Sequence, residues 1–215
     1  MGNDIVQDTI MGALEWAYEK AVNGVPGLDS AIELAEEYGK ADGTIVDQAN
    51  SLIRWQIAKC ATSGFITSLG GIITLPVAVP ANLASVLYVQ IRMIAAIAHL
   101  GGHDVKDDRI KTFIFGALCG SALSEVVREA GVKIGTKLTA KLIEQIPGKV
   151  LIEINKMVGI RIFTKAGSTG IINLTKMIPL VSGVIGASVD AFTTNAIGDT
   201  ARSIFIEDSG LLIEA

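Results

Sequence analysis

No charged residue occurs between Lys59 and Arg92, a stretch of 32 positions. A membrane-spanning helix needs about 20 consecutive apolar residues, so the stretch is long enough to contain one. Glycines and prolines interrupt it, however, and the last of them, Pro80, precedes a helical pattern over 81–100. We therefore expect a central hydrophobic helical hairpin over about 64–100. It is either a buried core element or a hairpin that inserts into or lies against a bilayer.

The rest of the chain has the spacing of amphipathic helices. Half of the residues are apolar and only 19% are charged, which favours a folded domain with a large core over a disordered chain. Alternating strand patterns are scarce, so the sequence predicts an all-α, compact multi-helix bundle. Besides 81–100, the predicted helices cover about 4–22, 30–38, 44–60, 106–129 and 180–205.

Two sequence patterns suggest how these helices are related. Gly116 and Gly120 have the GxxxG spacing that lets two helix backbones approach closely. The segment 131–137 (GVKIGTK) resembles 159–165 (GIRIFTK), and an Ile-Pro pair follows each copy. We interpret the second pattern as a weak internal helical repeat.

Opposite charges are concentrated in two separate segments. Residues 1–56 contain ten acidic and three basic residues, a net charge of −7. Residues 131–176 contain eight basic and two acidic residues, a net charge of +6, although the whole chain carries only −4. A chain divided in this way can present a basic surface despite its acidic total.

The basic segment contains the predicted lipid-contacting residues. Lys133, Lys137 and Lys141 recur every four residues beside an apolar stripe, and Lys165 follows in the second repeat. Such a helix can bury its apolar side while its basic groups meet anionic headgroups. A solvated face over a buried seam, or pairing with the acidic N-terminal helices, would also explain the pattern. Few aromatic residues lie among the bases, so nucleic acid is not an expected partner.

Five polar residues lie in otherwise apolar helices. Buried polar groups require partners, so we expect a core network joining residues 90 and 92 to residue 190, or a site that contacts a ligand. The five residues are Gln90, Arg92, Asp190, Asn195 and Asp199.

The sequence predicts no catalytic residue, no metal site and no cofactor. The two histidines, His99 and His103, are separated by a Gly-Gly pair that should break their helix. Cys60 and Cys119 lie in apolar surroundings, which raise the pKa of a thiol and reduce its reactivity. No phosphate loop, dinucleotide fingerprint or nucleophile elbow occurs.

Three segments resemble the EcsC family of bacterial proteins. They are GFITSLGGIITLPVAVPANL (64–83), LYVQIRMIAAIAHLGGHD (87–104) and KMIPLVSGVIGASVDAFTTNAIG (176–198). The resemblance implies an association with the cytoplasmic membrane or an ABC exporter, and no catalytic motif. On this basis we divide the chain into acidic N-terminal helices (1–56), an EcsC-like helical core (57–207) and a C-terminal tail (208–215).

These patterns favour a non-enzymatic protein bound peripherally to the inner face of the cell membrane. Its expected partners are anionic lipid and a membrane transporter, and the acidic N-terminal helices would cover the basic surface in the soluble state. The first ten residues lack the basic and apolar regions of a secretory signal, which predicts a cytoplasmic location. Two alternatives stay open: a soluble helical module enclosing an apolar ligand such as a fatty acid, and an integral membrane protein.

Overall fold

The computed structural model describes residues 2–61, 81–132, 140–166 and 183–206, with side chains for 8–58, 84–132, 143–162 and 194–206. The regular elements of these ranges are all helical, which confirms the predicted all-α bundle. They are α1 (Gly2–Asn23), α2 (Ala31–Gly39), α3 (Ile45–Ala61), α4 (Ala81–Leu100), α5 (Asp108–Ala117), α6 (Leu123–Glu129), α7 (Ala140–Gln145), α8 (Gly148–Ala166) and α9 (Gly183–Phe205).

Helix α4 is the centre of the bundle. From Ala84 to Ala98 every residue except Val86 is buried, and α1, α2, α3, α5 and α9 all pack against this helix. Its apolar side chains are therefore enclosed by other helices, as in a core element of a large protein. Within the described residues, no helix has both the length and the apolar character needed to cross a bilayer. The part of the predicted hairpin that precedes α4, 64–80, lies outside the described residues.

Local signals set several helix ends where the sequence predicts them. Ser30 is the N-cap of α2: its side chain accepts a hydrogen bond from the Glu33 N–H at 3.2 Å, and the Glu33 carboxylate accepts one from the Ser30 N–H at 2.8 Å. This reciprocal capping box satisfies two otherwise unpaired donors at the helix start. After α4, the left-handed Gly102 (φ +82°) ends the helix.

The predicted helix over 106–129 is interrupted. Helix α5 ends at Ala117, and a 3₁₀ turn at Gly120–Ala122 leads into α6. Gly120 adopts a φ of +60°, which a helix of L-residues does not tolerate. Gly120 of the GxxxG pair therefore lies where the helix is interrupted. Gly116 packs against the Leu123 side chain of α6 rather than against a second helix backbone.

The N-terminal helices share one core with the rest of the described chain. Buried residues from Ile10 in α1 to Phe205 in α9 form a single apolar cluster. Helix α3 continues through residues 56 and 57, so it belongs to both of the segments into which we divided the sequence. Of the two predicted repeat copies, 159–165 lies within α8, whereas the other copy, 131–137, lies outside the described residues from position 133 onward.

Candidate functional site

The structure describes the basic segment mainly through α8. Lys133 and Lys137 lie outside the described residues. Lys141 lies in α7 and Lys165 in α8, but the side chains of both are outside the described ones. The surface that can be examined for lipid contact is therefore the outward face of α8.

Helix α8 is fixed to the bundle along one side. Leu151, Ile154 and Val158 are buried there, and the helix packs against α1, α5 and α6. Asn155 donates a hydrogen bond from Nδ2 to the hydroxyl of Thr112 in α5 at 3.2 Å. These contacts determine which residues of α8 face solvent.

The opposite side of α8 exposes isoleucines among charged residues. Ile152 is 70% exposed and Ile160 is 42% exposed. The charged residues on this side are Lys149, Glu153 and Lys156, all exposed. We call these five residues the α8 stripe. It combines apolar and basic groups, and it contains one acid.

Arg161 of α8 is engaged differently. Its guanidinium pairs with Glu125 and lies 3.8 Å from Glu129, both of α6. The structure also pairs Lys111 with Glu15 and Arg202 with Asp199. Covering of the basic surface by the acidic helices stays a prediction.

A buried guanidinium is the second notable feature. Arg92 of α4 is only 2% exposed. Its Nη1 donates to the carbonyl oxygen of Asp29 at 3.0 Å, and its Nη2 donates to Oε1 of Gln56 at 3.3 Å. The guanidinium carbon lies 5.7 Å from the ring centre of Tyr88, one helical turn earlier. Helix α4, helix α3 and the residue before the α2 cap thus meet at one cation.

Several polar atoms around Arg92 have no partner in the described structure. They are Nε of Arg92, Nε2 of Gln56 and the hydroxyl of Tyr88, all buried. Burial raises the pKa of the Tyr88 phenol, whereas the Arg92 charge and the approach of the Arg92 side chain to the phenol oxygen oppose this effect. At neutral pH the hydroxyl is therefore a donor, as are the other two groups.

The five predicted polar residues do not form one cluster. Gln90 is buried, and its Nε2 approaches the Thr194 hydroxyl of α9 at 3.4 Å. Asn195 is exposed and donates to Asp199 at 3.0 Å, so this pair lies outside the buried network. The side chain of Asp190 lies outside the described ones. Within the described residues, Gln90 and Arg92 therefore point to different neighbours.

Sequence reasoning missed the actual partners of these groups. Gln56 is 0% exposed although α3 is amphipathic and partly solvated, and Thr194 is 1% exposed. The sequence did contain a signal for Gln56. It follows Leu52 by four positions and Ile53 by three, which places a polar side chain on the apolar face of the predicted helix.

His103 contacts the end of α9. His103 Nε2 lies 3.0 Å from the Phe205 carbonyl oxygen, and the two rings pack edge to face. This contact joins the turn after α4 to the end of α9. Within the described residues, no group of three or more His, Cys, Asp or Glu side chains is arranged to hold a metal ion.

Comparison with known proteins gives a family assignment. No curated protein and no solved structure matches the chain. The family model described as the EcsC protein family matches residues 33–206, from within α2 to the end of α9, a range that includes the α8 stripe and Arg92. Since this match covers most of the sequence, the chain belongs to the EcsC protein family.

Proposed function

We propose that the protein binds peripherally to an anionic membrane surface through the outward face of α8. The observation that supports this most directly is Ile152, 70% exposed between Lys149 and Lys156 on a helix whose other side is fixed in the core. An apolar group flanked by ammonium groups can enter the headgroup region while the charges meet lipid phosphates.

Charge and apolar area contribute to such binding in different ways. Each lysine near an anionic surface contributes about 1 kcal/mol at moderate salt, and this part weakens as salt screens the charges. Burial of the exposed isoleucines adds a part that salt does not screen. Glu153 opposes the lysines, so the stripe alone has a small positive charge, and the remaining bases of 131–176 would add to it.

The burial of α4 favours this mode over insertion of the central hairpin. Insertion of α4 would require separating it from five neighbouring helices. Buried large side chains such as Ile91, Met93 and Ile94 would then lose their packing partners, at a cost of several kcal/mol. A surface helix that is already exposed needs no such rearrangement.

Vesicle flotation tests the proposal. The full-length protein is mixed with neutral or anionic vesicles at low and high salt, and the membrane-bound fraction is measured. We expect binding to anionic vesicles that decreases with salt. The double variant K149Q/K156Q should lower the partition coefficient about 30-fold, as expected from the loss of about 2 kcal/mol.

Matched controls separate this surface from general charge and hydrophobicity. K40Q/K106Q removes two exposed lysines elsewhere in the described structure, and I45Q removes an isoleucine that is 49% exposed on α3. These should leave binding unchanged, whereas I152Q should weaken the part that resists high salt. E153Q should strengthen binding about fivefold, because it removes the one acid of the stripe.

Equal changes of the partition coefficient in the α8 variants and their controls would contradict the proposal. A bound fraction that does not depend on lipid charge or salt concentration would contradict it as well. We further propose that the membrane surface is the cytoplasmic face of the cell membrane. We also propose that the protein contacts a membrane transporter, as the family resemblance implies. Cross-linking of the membrane-bound protein in cells, followed by identification of the attached proteins, tests the transporter.

A further inference from the structure

Arg92 is a buried cation with no described carboxylate in direct contact with it. No described carboxylate oxygen lies within 4.0 Å of its guanidinium nitrogens. Its two hydrogen bonds go to neutral acceptors, the Asp29 carbonyl and the Gln56 amide, while the Asp29 residue itself is exposed. A buried charge without a direct ion-pair partner is costly, so a further group that carries negative charge would stabilise the arrangement.

The unpartnered atoms around this cation are all donors. Nε of Arg92, Nε2 of Gln56 and the Tyr88 hydroxyl each offer a hydrogen atom without a described acceptor. The Arg92 bond to the Asp29 carbonyl lies immediately before the Ser30 cap of the nine-residue helix α2. The charge and the donors both favour an anion with several oxygen atoms.

We propose that Arg92, Gln56 and Tyr88 bind the oxyanion group of a ligand, a carboxylate or a phosphate. The planar guanidinium suits two oxygens of such a group, and the amide and phenol donate to the remaining lone pairs. This site is separate from the α8 stripe and does not rest on the proposed membrane binding. The ligand is either a free anion or the head of a longer lipid.

A surface cleft lies on the same side of the bundle. It has a volume of about 410 Å³ and is lined by Glu37, Tyr38, Ala41, Ser51 and Trp55 of α2, α3 and the turn between them. Tyr38 is half-buried and lies within the electrostatic influence of Arg92. The exposed indole of Trp55 is next to Gln56 in sequence. The cleft lies between α2 and α3 with Glu37 on its rim, and Arg92, Gln56 and Tyr88 are not among the residues that line it.

Calorimetric titration tests the site. Full-length protein is first stripped of bound small molecules by exchange into detergent-containing and then detergent-free buffer. It is titrated with inorganic phosphate, with myristate, and with dodecanol as an uncharged chain. Saturable binding of phosphate identifies a free-anion site. Binding of myristate without phosphate or dodecanol identifies a lipid head site.

Variants assign the binding to these residues. R92M should abolish the titration signal, and Y88F should weaken affinity about fivefold, the factor that corresponds to one hydrogen bond. Tyr18→Phe is the matched control, because the Tyr18 hydroxyl already donates to the Val105 carbonyl, and it should leave affinity unchanged. Y88F should also keep or raise the melting temperature of the ligand-free protein, since it removes an unpaired buried hydroxyl.

Other outcomes would overturn the proposal. One is the absence of saturable binding by any of the anions to a folded wild-type protein. Another is that Y88F lowers the melting temperature of the ligand-free protein and leaves affinity intact. A third is that Asp190→Asn and R92M destabilise the protein non-additively while no anion binds, which would identify Asp190 as an internal counter-ion for Arg92.

Discussion

Gly198 of α9 lies directly against Ile53 of α3. A methyl group built at Gly198 would stand 2.8 Å from Cγ1, 2.9 Å from Cγ2 and 3.0 Å from Cδ1 of the Ile53 side chain. These separations are far below the usual contact distance of about 3.5–4.0 Å between carbon atoms. The close approach of α3 to α9 therefore depends on the absence of a side chain at position 198, inside the segment that also contributes Thr194 to the core.

Gly198→Ala should destabilise the protein. The added methyl group meets a side chain that is 2% exposed and has little freedom to move, so we expect a cost of about 1–3 kcal/mol. Urea unfolding followed by circular dichroism measures it. Gly12→Ala is the control, because a methyl group at Gly12 of α1 meets nothing within 4 Å. It should be neutral or stabilising, since alanine is the better helix former, and equal losses in both variants would contradict the steric explanation.

Tyr18 should make stability depend on alkaline pH. Its burial, together with Glu15 and the aspartates 104, 107 and 108, raises its pKa to about 12, whereas an unfolded tyrosine titrates near about 10. A raised pKa means that the folded state favours the neutral phenol. The resulting stabilisation is complete below the unfolded pKa and is lost as the pH rises through about 12.

Tyr18→Phe isolates this effect. Near neutral pH the variant should be less stable by about 1 kcal/mol, because the Val105 carbonyl loses its donor. The difference between wild type and variant should shrink as the pH approaches the folded pKa of Tyr18. Unfolding free energies near pH 8 and pH 11 measure the trend, and a difference that stays constant would show that Tyr18 does not titrate as described.

Asp107 should contribute to stability as the cap of α5. Its carboxylate accepts hydrogen bonds from the N–H groups of Arg109 at 2.7 Å and Ile110 at 3.3 Å. Asp107→Ala should cost about 1 kcal/mol, and Asp107→Asn should retain most of the stability because asparagine caps nearly as well. Thermal unfolding compares the two variants. The same loss in both would indicate a role for the negative charge rather than for the cap.

Arg161 should contribute less to vesicle binding than Lys149, although both belong to the basic segment. Arg161 faces two carboxylates of α6, so its neighbourhood has no net positive charge. We expect Arg161→Gln to change the partition coefficient by less than about twofold, and K149Q by about fivefold. The Arg161 pairs are exposed and worth less than about 1 kcal/mol in stability. A larger effect of Arg161→Gln would contradict this assignment of charges.

Most helices could be predicted from the sequence because their signals are local. The start of α2 at the Ser30 cap and the α4 range follow from capping residues, proline and glycine pairs that act within a few positions. The break after α5 was not predicted, because its apolar spacing continues across Gly120 and only the backbone conformation shows the interruption. Asp107 caps α5, and Asp104 accepts a hydrogen bond from the Lys106 N–H in the preceding turn.

The sequence by itself determined the helical class, the burial-prone character of α4 and the separation of acidic from basic segments. Only the tertiary structure decided which polar groups meet: Arg92 with Gln56, 36 positions earlier, and with Asp29, 63 positions earlier. It also placed Asn195 at the surface and Ile152 in solvent. Periodicity records which face of a helix is apolar, but the partner of that face depends on how distant helices pack, and no local pattern contains that information.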